Sequence, residues 1–141
     1  MTAEQIQLVR KSWKTFRGIS PATVGDLFYS KLFSDNPSWR KVFPKDMQQE
    51  YQKLIDLLNT VVMRLDKRDE LKENITAIAL RHEHFGLRPA QYKLAGAALV
   101  WTLQKGLADD WNEEVKNAWV ACYAILVDML LKSGSLAEKT C

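Results

Sequence analysis

Cysteine and histidine are scarce in this sequence, with two residues of each type among 141. Two cysteines, Cys122 and Cys141, are too few for the disulfide framework of a small secreted protein. Uninterrupted apolar runs are also missing, since none approaches the ~18 residues that a membrane-spanning helix needs. The amphipathic N-terminus lacks the apolar stretch of a secretory signal. We therefore expect a cytoplasmic protein that does not insert into a membrane.

A concentrated charge of one sign is missing as well. The 20 basic and 17 acidic residues leave a net charge of +3. The basic residues form scattered pairs such as Arg10-Lys11 and Lys67-Arg68, without interleaved aromatic residues. Such pairs are typical of solvated helix faces, so we do not expect a nucleic-acid partner.

The alternating pattern of a strand does not compete anywhere with helical spacing, so the sequence predicts an all-α fold. Helix starts are marked by Thr2, which stands at capping-box spacing from Gln5, and by the pair Ser20-Pro21. Six longer helices are expected, with short helical turns between them. They begin near residues 3, 21, 48, 70, 89 and 113.

The chain length predicts one domain, which we assign to residues 1–132. Apolar residues recur at helical spacing along the last helix, and Gly134 is expected to end it. Residues 133–141 are therefore expected to form a flexible C-terminal tail.

Residues 78–101 join an apolar helix that reaches His82 to a glycine-proline break at 85–89 and a second helix from Pro89. A single histidine near a helix end can hold a metal from one side only. A haem iron requires this arrangement, because it takes one protein nitrogen on one face and leaves the other face open. A lone histidine on an apolar face is more often a structural residue, so this stretch alone does not decide between the two interpretations.

The order of these elements resembles the globin family over almost the whole chain. The likeness is strongest to bacterial single-domain globins, including the haem domain of flavohaemoglobins and neuroglobin-like bacterial proteins. Three segments carry it: FYSKLFSDNPSWRKVF at 28–43, RHEHFGLRPAQYKLAGAAL at 81–99 and AWVACYAILVDML at 118–130. The resemblance implies a three-over-three helical fold around a haem b (iron protoporphyrin IX), so residues 1–132 would be a globin haem-binding domain.

His82 matches the histidine that ligates the iron in this family, because Gly86 follows it at the family spacing. His84 lies two positions further on, about 200° around a helix, so both histidines cannot face one iron. We expect His84 to be a surface residue. With no further histidine in the chain, the sequence excludes an iron held by two histidines.

The resemblance also assigns residues to the gas-binding side. Phe43 matches the phenylalanine that stacks on the haem. Tyr29 matches the residue that faces bound gas, where a phenol can donate a hydrogen bond. Counting back four residues from Leu54 gives Glu50 where most relatives carry His or Gln. Gln49, after a shift of one residue, and a pocket with neither are the alternatives.

Two orientations of Glu50 are open: it either faces the ligand or turns outward to pair with Lys53. Lys53 is expected either at the pocket rim, near a haem propionate, or in solvent. Tyr92 matches a tyrosine beside the iron-ligating histidine of flavohaemoglobins, but the glutamate that completes that set is absent. The remaining residues expected to contact the haem are Leu54, Leu57, Leu87 and Leu99.

Reversible binding of oxygen or another diatomic gas, including nitric oxide and carbon monoxide, is the function that this resemblance implies. The alternative is nitric oxide dioxygenase or pseudo-peroxidase activity, for which we expect an external reductase. A haem-free structural or regulatory α-helical domain is the third possibility.

Overall fold

The computed structural model describes residues 1–81 and 89–140. For residues 42, 78–81, 89–90 and 133–140 it describes the backbone alone. The described chain forms six α-helices and contains no strand, so the predicted all-α class is confirmed. The helices are α1 (Ala3–Phe16), α2 (Pro21–Asp35), α3 (Gln48–Met63), α4 (Arg68–Arg81), α5 (Pro89–Leu107) and α6 (Glu113–Thr140). Short 3-10 helices, Pro37–Val42 and Ala108–Asp110, connect some of them.

Local signals set the starts of the first two helices as predicted. The Thr2 hydroxyl accepts a hydrogen bond from the Gln5 amide at 3.0 Å, and the Gln5 side chain accepts one from the Thr2 amide at 3.0 Å. At α2 the Ser20 hydroxyl accepts a hydrogen bond from the Thr23 amide, and Pro21 occupies the first turn. These side chains pair backbone N–H groups that have no partner inside the helix.

The helices pack with α6 against α1, α4 and α5, while α2 packs against α3 and α5. Two buried indole N–H groups of this core are paired across helices. The Trp119 indole N–H donates to the Ser12 hydroxyl at 2.8 Å, and the Trp13 indole N–H donates to Asn59 at 3.2 Å. The buried indoles thereby join α1 to α6 and to α3 without leaving a donor unpaired.

The expected end of the last helix at Gly134 is wrong, because α6 continues through this glycine to Thr140. A glycine inside a helix costs only about 1 kcal/mol relative to alanine, so it does not by itself end one. The flexible tail at 133–141 stays a prediction. None of the helices that the structure describes is both long enough and apolar enough to cross a membrane.

Ala108, directly after α5, adopts a φ of 47°, in the left-handed region that favours glycine. An alanine there is strained, so we expect Ala108→Gly to raise the free energy of unfolding by about 0.5–1 kcal/mol after the entropy cost of glycine is subtracted. Ala97→Gly, at an exposed position inside α5, is the matched control and should lower it by about 1 kcal/mol. Urea denaturation measures both, and a loss of stability in both variants would contradict the prediction.

Candidate functional site

Tyr29 lies on the buried face of α2, with 9% of its surface exposed. Its ring contacts those of Phe33, Phe43 and Tyr51, with centroids 5.8, 5.4 and 5.9 Å away. We call these four residues the aromatic cluster. They come from α2, from the turn after the first 3-10 helix and from α3, so the cluster marks the place where three segments meet.

The Tyr29 hydroxyl has no hydrogen-bond partner among the residues that the structure describes. Burial, and after it the negative charge of Glu50 and the nearby Tyr51, raises the pKa of this phenol well above its ordinary value. Tyr29 therefore keeps its proton at neutral pH and remains a hydrogen-bond donor. Because buried polar groups are rarely left unpaired, this donor has the character of a ligand contact.

Phe43 follows the first 3-10 helix in an extended conformation, with φ of −104° and ψ of 153°. Its ring is half-buried and lies at 64° to the Tyr29 ring. The ring of Phe33 also lies 5.4 Å from it. The structure thus brings together Tyr29 and Phe43, which the sequence analysis placed in one pocket although 14 positions separate them.

Glu50 lies in the first turn of α3 and is 7% exposed. Its carboxylate accepts a hydrogen bond from the Lys53 ammonium at 3.2 Å, while Lys53 itself stays half-exposed. The positive end of the helix dipole adds to the stabilisation of this negative charge. Features of both expected orientations are therefore present, since Glu50 is buried and also paired with Lys53. Gln49, the alternative residue, is exposed to solvent.

The other expected contact residues are distributed over α3 and α5. Leu54 and Leu57 are half-buried against the core, and Leu99 is 5% exposed. Tyr92 is half-buried, and its carbonyl accepts a short hydrogen bond from the Tyr123 hydroxyl. His82, His84 and Leu87 lie at 82–88, outside the described residues.

Met47 and Tyr51 are two residues that the sequence analysis did not assign to the site. Met47 is 9% exposed immediately before α3, and Tyr51 lies one turn further along. A pocket of about 400 Å³ opens beside them. It is lined by the aromatic and apolar residues Tyr29, Phe33, Met47 and Tyr51 and by the polar residues Ser30, Arg40, Lys45, Asp46 and Gln48.

Gly25 on α2 was the signal that could have identified Tyr51. A glycine inside a helix often marks a close approach of another backbone or side chain. In the structure, a Cβ added to Gly25 would lie 2.4 Å from Cγ of Tyr51 and 2.5 Å from its Cβ. The glycine therefore permits α2 and α3 to approach at the level of Tyr51.

The chain is similar to known proteins in sequence and in fold. A family model described as Globin matches residues 26–130. A flavohemoprotein of Vibrio cholerae is 25% identical over 140 residues, which cover 96% of this chain and 35% of that protein. A flavohemoprotein of Oceanobacillus iheyensis is 27% identical over 107 residues, which cover 74% of this chain and 26% of that protein. The chain thus spans about a third or less of the length of these two relatives.

Another relative and two solved structures are similar over their full length. An anaerobic nitrite reductase of Gossypium hirsutum is 26% identical over 155 residues, covering 99% of this chain and 92% of that protein. A bacterial globin of Campylobacter jejuni superposes with a TM-score of 0.87 at 17% identity, covering 98% of this chain and 99% of its own. A hexacoordinated heme protein from an anhydrobiotic tardigrade gives 0.85 at 21% identity, covering 96% of each chain. The two structures establish a shared fold.

The close approach at Gly25 yields a stability prediction. Gly25→Ala should lower the free energy of unfolding by about 1–3 kcal/mol, because the added methyl group overpacks the contact with Tyr51. Thermal unfolding followed by circular dichroism measures the change. Gly18→Ala is the control, since a Cβ there meets only the Thr15 carbonyl oxygen at 3.3 Å. Equal effects of the two substitutions would show that the contact with Tyr51 does not limit the packing.

Proposed function

The chain belongs to the globin family, and we propose that His82 holds the iron of a haem b while a diatomic gas binds on the opposite face. Haem iron held by one protein nitrogen supplies an open coordination position. The described residues fit the gas side of such a group, because they combine aromatic walls with one buried polar donor. Reversible gas binding is the function that this arrangement supports best.

The buried Tyr29 hydroxyl is the observation that carries this proposal. This donor keeps its proton and finds no partner among the described residues. It therefore destabilises the folded chain until a ligand accepts its hydrogen bond. A polar diatomic ligand such as oxygen can accept it. The ring of this tyrosine packs against those of Phe33, Phe43 and Tyr51, so little of the residue is exposed to bulk water.

In this proposal Phe43 and the leucines form the apolar surface that contacts the haem. The Phe43 ring contacts those of Tyr29 and Phe33, each with its centroid 5.4 Å away, so two neighbouring rings fix its position against a flat macrocycle. Leu99 on α5 is buried and would contact the same group from another side. Leu54, Leu57, Leu87 and Tyr92 complete the proposed contact set.

Glu50 and Lys53 would tune the pocket. The buried carboxylate already acts on the Tyr29 phenol through its charge. Lys53 places its ammonium on that carboxylate, so the charge of the pair is partly compensated. Their role in this proposal is to set the electrostatic environment of the Tyr29 hydroxyl, and Glu50 would contact the gas itself only after leaving Lys53.

Turnover of the bound gas with an external reductase is a second candidate function. It is favoured by the relatives described above, which are flavohemoproteins and an anaerobic nitrite reductase. Nitrate formation from nitric oxide, sustained by an added reductase and oxygen, would favour it. Gas binding without turnover under the same conditions would favour reversible binding.

The first test concerns the iron ligand. His82→Ala should abolish the Soret absorption of the purified protein or leave the haem weakly held, because the side chain supplies the proposed iron-bound nitrogen. His84→Ala is the matched control and should keep the wild-type spectrum. Equal loss of the Soret band in both variants would reject the assignment, and a colourless wild type after reconstitution would favour a haem-free domain.

A second test concerns the donor. Tyr29→Phe should speed oxygen dissociation by about tenfold or more, because a hydrogen bond to a charged or strongly polar partner contributes ~1.5–3 kcal/mol and each ~1.4 kcal/mol is a factor of ten. Carbon monoxide, which is less polar when bound, should respond less. Stopped-flow mixing measures both rates.

Tyr123→Phe is the control for Tyr29→Phe, because the Tyr123 hydroxyl already donates to the Tyr92 carbonyl. Its removal should lower stability and leave the ratio of the oxygen and carbon monoxide dissociation rates unchanged. If Tyr29→Phe changed both gases alike, Tyr29 would be a packing residue.

A further inference from the structure

The Arg40 side chain binds the backbone of the turn that contains Phe43. The carbonyl groups at the end of a helix lack partners inside it, and the chain leaves the 3-10 helix Pro37–Val42 at this point. The Arg40 guanidinium donates from Nη1 to the carbonyls of Phe43 and Pro44 at 3.2 and 3.0 Å, and from Nη2 to the carbonyl of Lys45 at 3.1 Å. One side chain therefore binds three consecutive carbonyls.

The backbone of Phe43 is bonded to residue 40 on both sides. Its amide donates to the Arg40 carbonyl at 3.3 Å, and its own carbonyl accepts from the Arg40 side chain. Both peptide groups that flank the Phe43 side chain are thus fixed relative to Arg40. A lysine could not reproduce this, because its ammonium is a point charge rather than a planar fork of donors.

Arg40 also supports the ring that lies against Phe43. Its guanidinium carbon lies 5.6 Å from the centroid of the Phe33 ring, a distance typical of a cation–π contact. Phe33 in turn contacts Phe43 and Tyr29 within the aromatic cluster. The same side chain therefore constrains Phe43 through its backbone and through its neighbouring ring.

We propose that Arg40 is a positioning residue for Phe43, and that through Phe43 it determines how firmly the chain retains haem. The haem part of this proposal rests on the proposed function. Arg40 acts through the backbone of residues 43–45 and through Phe33, and no contact between Arg40 and the haem is required. Arg40 also lines the pocket described above, together with Lys45 and Gln48.

Arg10 provides a matched control at the opposite end of α3. Its side chain donates to the carbonyls of Val62 and Met63 at 3.3 and 3.2 Å and pairs with Asp66 at 2.8 Å. Arg10→Lys therefore removes a comparable set of hydrogen bonds and leaves the bonds at residues 43–45 unchanged. Both lysine variants keep the net charge of the protein.

The experiment compares Arg40→Lys and Arg10→Lys in the full chain loaded with haem. The first readout is the rate of hemin transfer to excess apomyoglobin. Arg40→Lys should accelerate transfer by about fivefold or more, the order expected from losing one or two net hydrogen bonds, and Arg10→Lys should not. The midpoint temperature of thermal unfolding should fall to a similar extent in both variants.

The second readout does not depend on haem. Hydrogen exchange of the full chain, measured with and without hemin, should be faster at the Phe43 amide in Arg40→Lys and unchanged there in Arg10→Lys. Wild-type transfer and exchange rates in Arg40→Lys would overturn the proposal, as would equal acceleration of hemin transfer by both variants. If the wild type bound no hemin, the proposed function would fail. Hydrogen exchange at the Phe43 amide would still decide whether Arg40 fixes the backbone there.

Discussion

The contact between Gly25 and Tyr51 sets the distance between α2 and α3, and the arrangement of the site depends on that distance. At this level the Tyr51 side chain packs directly on the Gly25 backbone, so even a methyl group on Gly25 would overlap it. The approach places the Tyr51 ring beside Tyr29 and brings the first turn of α3 close enough for the Glu50 charge to act on the Tyr29 phenol. Wider spacing would leave the Tyr29 hydroxyl open to water.

Tyr29 and Glu50, two buried polar residues of this site, differ in whether they are paired. Tyr29 is buried with a proton to donate and no described partner, whereas Glu50 is buried with its charge paired to Lys53. An unpaired buried donor costs free energy, and an unpaired buried carboxylate would cost more. The pairing with Lys53 therefore leaves Tyr29 as the polar group that is available to a ligand.

Local chemistry explains which parts of the fold the sequence could predict. The capping box of Thr2 and Gln5 and the pair Ser20-Pro21 determine where α1 and α2 begin, and both starts are confirmed. The resemblance assigned Tyr29 and Phe43 to the same side of the expected haem, and their rings lie in contact. The stop at Gly134 was wrong because one glycine is a weak signal against the favourable packing of the rest of α6.

The pocket residues on α3 were harder to assign, for a physical reason. Met47 makes no side-chain cap before this helix, and the bond from the Gln48 amide to the Asp46 carboxylate marks where the helix begins without selecting the face that turns inward. Apolar residues cover a wide arc of α3, and counting from Leu54 led to Glu50 while leaving out Met47 and Tyr51. The orientation of α3 is set by tertiary contacts, namely Gly25 near its start and the Arg10 side chain on the carbonyls of its last turn. Such contacts join residues about 25 to 50 positions apart, so neither periodicity nor capping signals can reveal them, and the small residue at position 25 was the one indication within the sequence.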